Sequence, residues 1–231
     1  MYQLTATKTN KGISTAKANR LFWMGRYAER VYLALHLLRK HYDLMIDQDS
    51  DAYKNFCTKI GIENKYLSGE DFMQSYLYDE TNADSIINML ERVNDNAILI
   101  REEIMSESLS YVQMSISFMK KSKEEGRSLA EIQKITDYML AFWGSIEERI
   151  SNTDIRHTIK FGKFVESADL HIRFEYAYPR VNQIFGRIME TIEKDSYICD
   201  EIKLLALTNQ MNPDRYNEPK TLFYLNGLFT A

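Results

Sequence analysis

Between Leu21 and Met45 the residues Leu21, Met24, Ala28, Val31, Leu35, Leu38, Tyr42 and Met45 recur at alternating intervals of three and four. Only an α-helix brings such positions onto one face, because 3.6 residues per turn align i, i+3, i+4 and i+7. The stripe predicts a helix over 14–47, about nine turns long. Ser14 or Thr15 suits its N-cap, and the short polar side chains from Asp47 to Asp51 suit its end. An apolar face of that length must be covered by other elements along its whole extent.

The remaining chain offers helices to cover it. Apolar periodicity predicts them over 52–60, ended by Gly61, and over 70–78. A longer one is expected over about 83–121, with Asn82 at the cap position and a bend near Ser106–Ser108. Further helices are expected over 129–150, 153–176, 181–194 and 196–208, with Tyr178-Pro179 separating two of them. Residues 221–229 read as an aromatic tail docked on the bundle. The chain holds only 3 Pro and 9 Gly among 231 residues. That is about 5%, against about 12% in average usage, too few breakers for an all-β fold. The expected fold class is all-α: a multi-helix bundle of long antiparallel helices, one domain over 14–231 behind a flexible segment 1–13.

Charge and cysteine usage narrow the function classes. A net charge of −4 and a pI near 5.7 speak against a general nucleic-acid binder, which carries a basic face. No stretch reaches ~18 uncharged apolar residues, so no membrane span is expected. The polar N-terminal segment lacks the apolar core of a signal peptide. Cys57 and Cys199 have no metal-type spacing and read as reduced thiols, so a cytoplasmic location is expected. No Glu-x-x-His occurs. His36, His41, His157 and His171 show no zinc spacing, so no metal or other cofactor is expected. Gly-rich phosphate loops and nucleophile elbows are absent too.

The most informative pattern is an internal repeat. Met24-Gly25-Arg26-Tyr27-Ala28-Glu29-Arg30 is echoed by Phe161-Gly162-Lys163-Phe164-Val165-Glu166-Ser167. Glycine inside a helix costs roughly 1 kcal/mol relative to alanine. Two glycines at matched places therefore point to close approach of another backbone or a ligand. Each Glu stands four residues on, one turn away on the same face, and three residues from a basic side chain with which it can pair.

At these residues the chain resembles the alpha-E domain family of bacterial helical proteins. The family's Leu-Tyr-Trp-Leu-Gly-Arg-Tyr-x-Glu-Arg-Ala is matched by Leu21-Phe22-Trp23-Met24-Gly25-Arg26-Tyr27-Ala28-Glu29-Arg30-Val31. A second stretch is matched by Ser85-Ile86, Asp95-Asn96-Ala97 and Arg101-Glu102, which makes Asn96, Arg101 and Glu102 a secondary motif. The later Gly-Arg-x-x-Glu-Arg is matched at Gly162–Glu166, with Ser167 in place of its second Arg and Asn94 in place of an earlier one. The pattern fades after about residue 175. The resemblance implies an all-α domain with no established enzymatic activity. It also implies a genomic neighbourhood of ATP-grasp ligase-like and transglutaminase-like proteins, and hence a role in peptide synthesis or modification.

Two functional readings follow. In the first, the chain is a non-catalytic accessory protein that binds such enzymes or a peptide-like ligand. Arg26, Glu29, Arg30, Lys163 and Glu166 then form a polar cluster that locks the bundle as an ion-pair lattice or holds the ligand. In the second, Glu29 and Glu166 face one open pocket as acid and base, or as metal ligands, on a peptide-like substrate.

Overall fold

The computed structural model describes residues 13–125, 132–194 and 199–230. The long stripe forms α1 (Thr15–Asp47), whose N-cap Ser14 accepts the Lys17 backbone N–H at 3.3 Å. It is followed by α2 (Ala52–Ile60) and α3 (Gly69–Tyr78). Gly61 ends α2 with φ +78°, the left-handed conformation that glycine adopts without a Cβ penalty. Next come α4 (Ile86–Leu99), α5 (Arg101–Glu125), α6 (Gln133–Arg149), α7 (Thr153–Arg173) and α8 (Tyr178–Lys194). The C-terminal part is α9 (Glu201–Gln210), a 3-10 turn Pro213–Arg215, and α10 (Glu218–Asn226). Among the described residues the only extended pairing is an isolated antiparallel bridge between Cys199 and Phe229.

α1 is the axis of the bundle. It packs against α7, α4, α2 and α6, while α5 lies on α4 and α6, and α8 and α10 lie on α7. One buried apolar cluster runs from Ile13 to Leu228 and takes in the whole α1 stripe up to Leu38.

The structure departs from the sequence reading in definite places. The segment 83–121 is two helices, not one. Its cap is Ser85, whose hydroxyl accepts the Asn88 N–H, and not Asn82. α4 stops at Ile100, and a second break falls at Met105, with φ 65° and ψ 154°, slightly before the bend expected near Ser106. α6 begins at Gln133, and the expected start at Leu129 lies outside the described residues. α7 ends at Arg173, where Glu175 takes φ 56°. The aromatic tail is largely the helix α10, whose cap Asn217 accepts the Lys220 N–H. The expectation for 1–12 also lies outside the described residues, whereas Ile13 is buried in the core.

Candidate functional site at the crossing of α1 and α7

The two motif glycines mark the point where α1 and α7 touch. A Cβ on Gly25 would lie 2.1 Å from the Ile159 carbonyl oxygen, and one on Gly162 would lie 2.1 Å from that of Phe22. Each glycine faces the carbonyl three residues before the other, so the contact is locally two-fold. No side chain fits there, because both obstacles are backbone. The expected close approach is realised at both positions.

The carboxylates beside the glycines are treated differently. Glu166 is 2% exposed, and both its oxygens are taken by α1. Arg26 reaches Oε2 with Nε at 2.7 Å and a terminal nitrogen at 2.6 Å, and Arg30 reaches Oε1 at 2.9 Å. Burial disfavours the charged form of Arg30, but Glu166, Tyr76 and Asp169 together outweigh it and hold the guanidinium above its ordinary pKa. Arg30 also donates to the Ile60 carbonyl at 2.8 Å, which seats its charge at the negative end of α2.

The lattice extends beyond the motif. Arg26 donates to Asn226 Oδ1 at 3.0 Å, and Asn226 Nδ2 donates to Asp169 Oδ1 at 2.6 Å. Arg173 donates to the other Asp169 oxygen at 2.6 Å. Four helices, α1, α2, α7 and α10, are thereby tied at one place. Phe229, just past α10, stacks on Phe22 with ring centroids 3.9 Å apart.

Glu29 lies outside this lattice, contrary to expectation. It is buried, its Oε2 has no hydrogen-bond partner among the described residues, and neither Arg26 nor Lys163 forms an ion pair with it. Arg26 spans the crossing to Glu166 instead of pairing three residues along its own helix. Burial raises the Glu29 pKa to about 7; Lys163 opposes this, Glu166 adds to it, and Arg187 and the Trp143 side chain act weakly against it. Lys163 places its ammonium 4.1 Å from the centroid of the Trp143 ring. Its pKa is lowered by burial, restored in part by Glu29, and lowered further by Lys160 and Arg187. The Trp143 indole N–H is buried and acts on the Glu29 carboxylate, yet among the described residues it makes no close hydrogen bond.

The secondary motif does not join the cluster. Asn96 donates to the Arg92 carbonyl on its own helix at 2.9 Å. Arg101 and Glu102 are exposed in the first turn of α5. Sequence reasoning missed Asp169, Arg173 and Asn226. The spacing Asp169–Arg173 was a readable i,i+4 pair, whereas Asn226 carried no local signal. Among the described residues no group of three or more His, Cys, Asp or Glu side chains is placed to hold a metal. His41 and His171 bond the carbonyls of Leu37 and Ser167 on their own helices. No described helix is long and apolar enough to cross a membrane.

Comparison with curated proteins and with solved structures returned no match. A family model does match, over residues 15–194, and those bounds take in both glycines, both carboxylates and the Glu29-Arg30 pair. The chain belongs to the Alpha-E family, described as a predicted alpha-helical domain with a conserved ER motif.

Proposed function

We infer that the chain is a non-catalytic helical accessory protein, partnering ATP-grasp ligase-like or transglutaminase-like enzymes in bacterial peptide synthesis or modification. The observation that supports this is the state of Glu166. A carboxylate held by two arginines and 2% exposed serves as a structural anion, not as a general base for substrate. An acid–base pair also needs both carboxyl groups at one opening. The 480 Å³ cleft between the end of α1 and α3 and the 310 Å³ cleft between α7 and α8 are lined by other residues. Glu29, whose pKa burial raises to about 7, lacks its partner for the two-carboxylate reading.

The test is affinity purification of the tagged full chain from its native host. The expected result is co-elution of a peptide-bond-forming or acyl-transferring enzyme. Elution of the chain alone would count against the reading. A Glu29→Gln/Glu166→Gln double variant that stays folded and keeps the same partner would remove the polar cluster from partner binding.

A further inference from the structure

We propose that the cleft between α7 and α8 is a binding site for a small oxyanion, a carboxylate or a phosphate group, held by Arg187 and Lys160. The proposal names the ligand class for the binding-protein reading above and rests on that reading, but the residues that line its site are not those of the glycine contact.

The cleft encloses about 310 Å³ and is lined by His157, Lys160, Phe164, Arg187, Glu190 and Thr191. That volume is at the small end of ligand pockets and suits a compact headgroup. The Arg187 guanidinium lies 5.8 Å from the centroid of the Phe164 ring. Among the described residues, no carboxylate pairs with it, and none pairs with Lys163. Lys160 is engaged, at 2.9 Å, by Glu147.

The like charges are close enough to be felt. Lys160 and Arg187 both push the Lys163 pKa down, in the same direction as its burial. Glu29 and Glu147 oppose this, but burial pushes Glu29 toward its uncharged form and Glu147 is engaged by Lys160. Lys160 and Arg187 thus bring two cations to one small concavity in a chain of net charge −4, with Glu147 pairing only the first of them. Mutual repulsion of this kind is relieved by an anion, and an arginine fork matches a carboxylate or phosphate bidentately. Glu190, exposed on the cleft wall, is the acidic residue among the described lining and works against an anion.

The experiment is titration calorimetry on the purified full chain, with inorganic phosphate and with N-acetylglutamate as separate probes. Emission of Trp143, read in a Trp23→Phe background, gives a second readout because Lys163 stacks on that ring. Saturable binding of at least one probe is expected, weakened tenfold or more in Arg187→Gln and tightened in Glu190→Gln. Arg187 and Glu190 are exposed, so both variants keep the fold, checked by an unchanged Tm. Phosphate alone assigns the site to phosphate groups, N-acetylglutamate alone to carboxylates, and both to oxyanions in general. Silence of both probes, or affinity that ignores Arg187→Gln, overturns the proposal. Calorimetry on the isolated chain involves no partner, so its failure is distinguishable from failure of the accessory-protein reading.

Discussion

At the crossing of α1 and α7, the two motif copies present the same backbone contact and opposite electrostatics. Gly25 and Gly162 each face a carbonyl that would lie 2.1 Å from a Cβ. One turn beyond, Glu166 is gripped by Arg26 and Arg30, whereas Glu29 is buried with an unpartnered oxygen. Local two-fold correspondence sets Arg26 against Lys163 and Arg30 against Ser167. The weaker half therefore lacks one cation outright and carries the other as an ammonium, which is turned to the Trp143 ring. Backbone symmetry needs only two glycines to persist; electrostatic symmetry needs every member of the set. Losing one arginine leaves a buried carboxylate whose cheapest relief is a proton.

The largest consequence lies on the satisfied side. Glu166→Gln leaves two largely buried guanidinium groups facing an uncharged amide, and should cost about 3–5 kcal/mol. Urea melts read this directly, and a loss below about 1 kcal/mol would mean that the lattice contributes little. The backbone contact comes next. Gly25→Ala and Gly162→Ala each force a methyl against a carbonyl and must part the helices, at about 2–3 kcal/mol net of the gain in helix propensity. The two losses should agree with each other, and a clear inequality in calorimetric Tm would show that the contact is two-fold in geometry only.

The orphaned side should respond with the opposite sign. The folded-state pKa of Glu29, about 7, lies above the 4.5 expected of an exposed glutamate. Between those values the folded chain binds the extra proton, so this group's contribution to stability falls as pH rises from 4.5 to 7. The groups facing it are Lys163, Arg187 and Trp143, which favour its charged form, and Glu166, which opposes it. The displacement amounts to about 3 kcal/mol at most above pH 7. Glu29→Gln should therefore stabilise the chain by about 1–2 kcal/mol at pH 8, once the amide's own unmet hydrogen bonds are counted, and have little effect at pH 4. Chemical denaturation at both pH values checks this, and equal effects at the two would show that Glu29 does not titrate in this window.

How much of this could be read in advance follows the range of each interaction. Helix α1 and the glycine contact were legible because periodicity and repeated Gly-basic-aromatic patterns are local in sequence. The break at Met105 was placed only to within a few residues, since an apolar register can be reset by any residue forced to positive φ. The charge pattern was half legible: Arg26, Arg30 and Glu166 form the expected lattice, but Glu29 and Lys163 fall outside it, because pairing three residues along one helix competes with pairing across a crossing. With Gly25 and Gly162 drawing the backbones together, the crossing wins. Asn226 was invisible for the same reason: it lies 200 residues from the Arg26 it contacts, and a single Asn on a short helix has no periodicity to betray it. Its truncation to Ala should cost about 1 kcal/mol, the size of a typical side-chain hydrogen bond.

Whether the missing arginine is what separates the halves is open to a constructive test. Ser167 occupies the place on α7 that Arg30 occupies on α1. Arg30 manages its position because its fork divides between Glu166 and the Ile60 carbonyl, with its side chain 20% exposed. Ser167→Arg offers Glu29 the same fork from the opposite helix. If correspondence of place carries correspondence of reach, the Glu29 carboxylate should titrate below 7, toward the ordinary range, as followed by carbon-13 NMR of its carboxyl carbon. Stability at pH 8 should then rise by up to about 1 kcal/mol, since a new buried pair recovers only part of its desolvation. If the α7 face lacks the room, the introduced guanidinium is buried without a partner, the chain is destabilised, and the Glu29 midpoint stays near 7. That outcome would place the difference between the halves in their packing surroundings, Trp143 on one side and α2 on the other, and not in the one residue that the sequence repeat lacks.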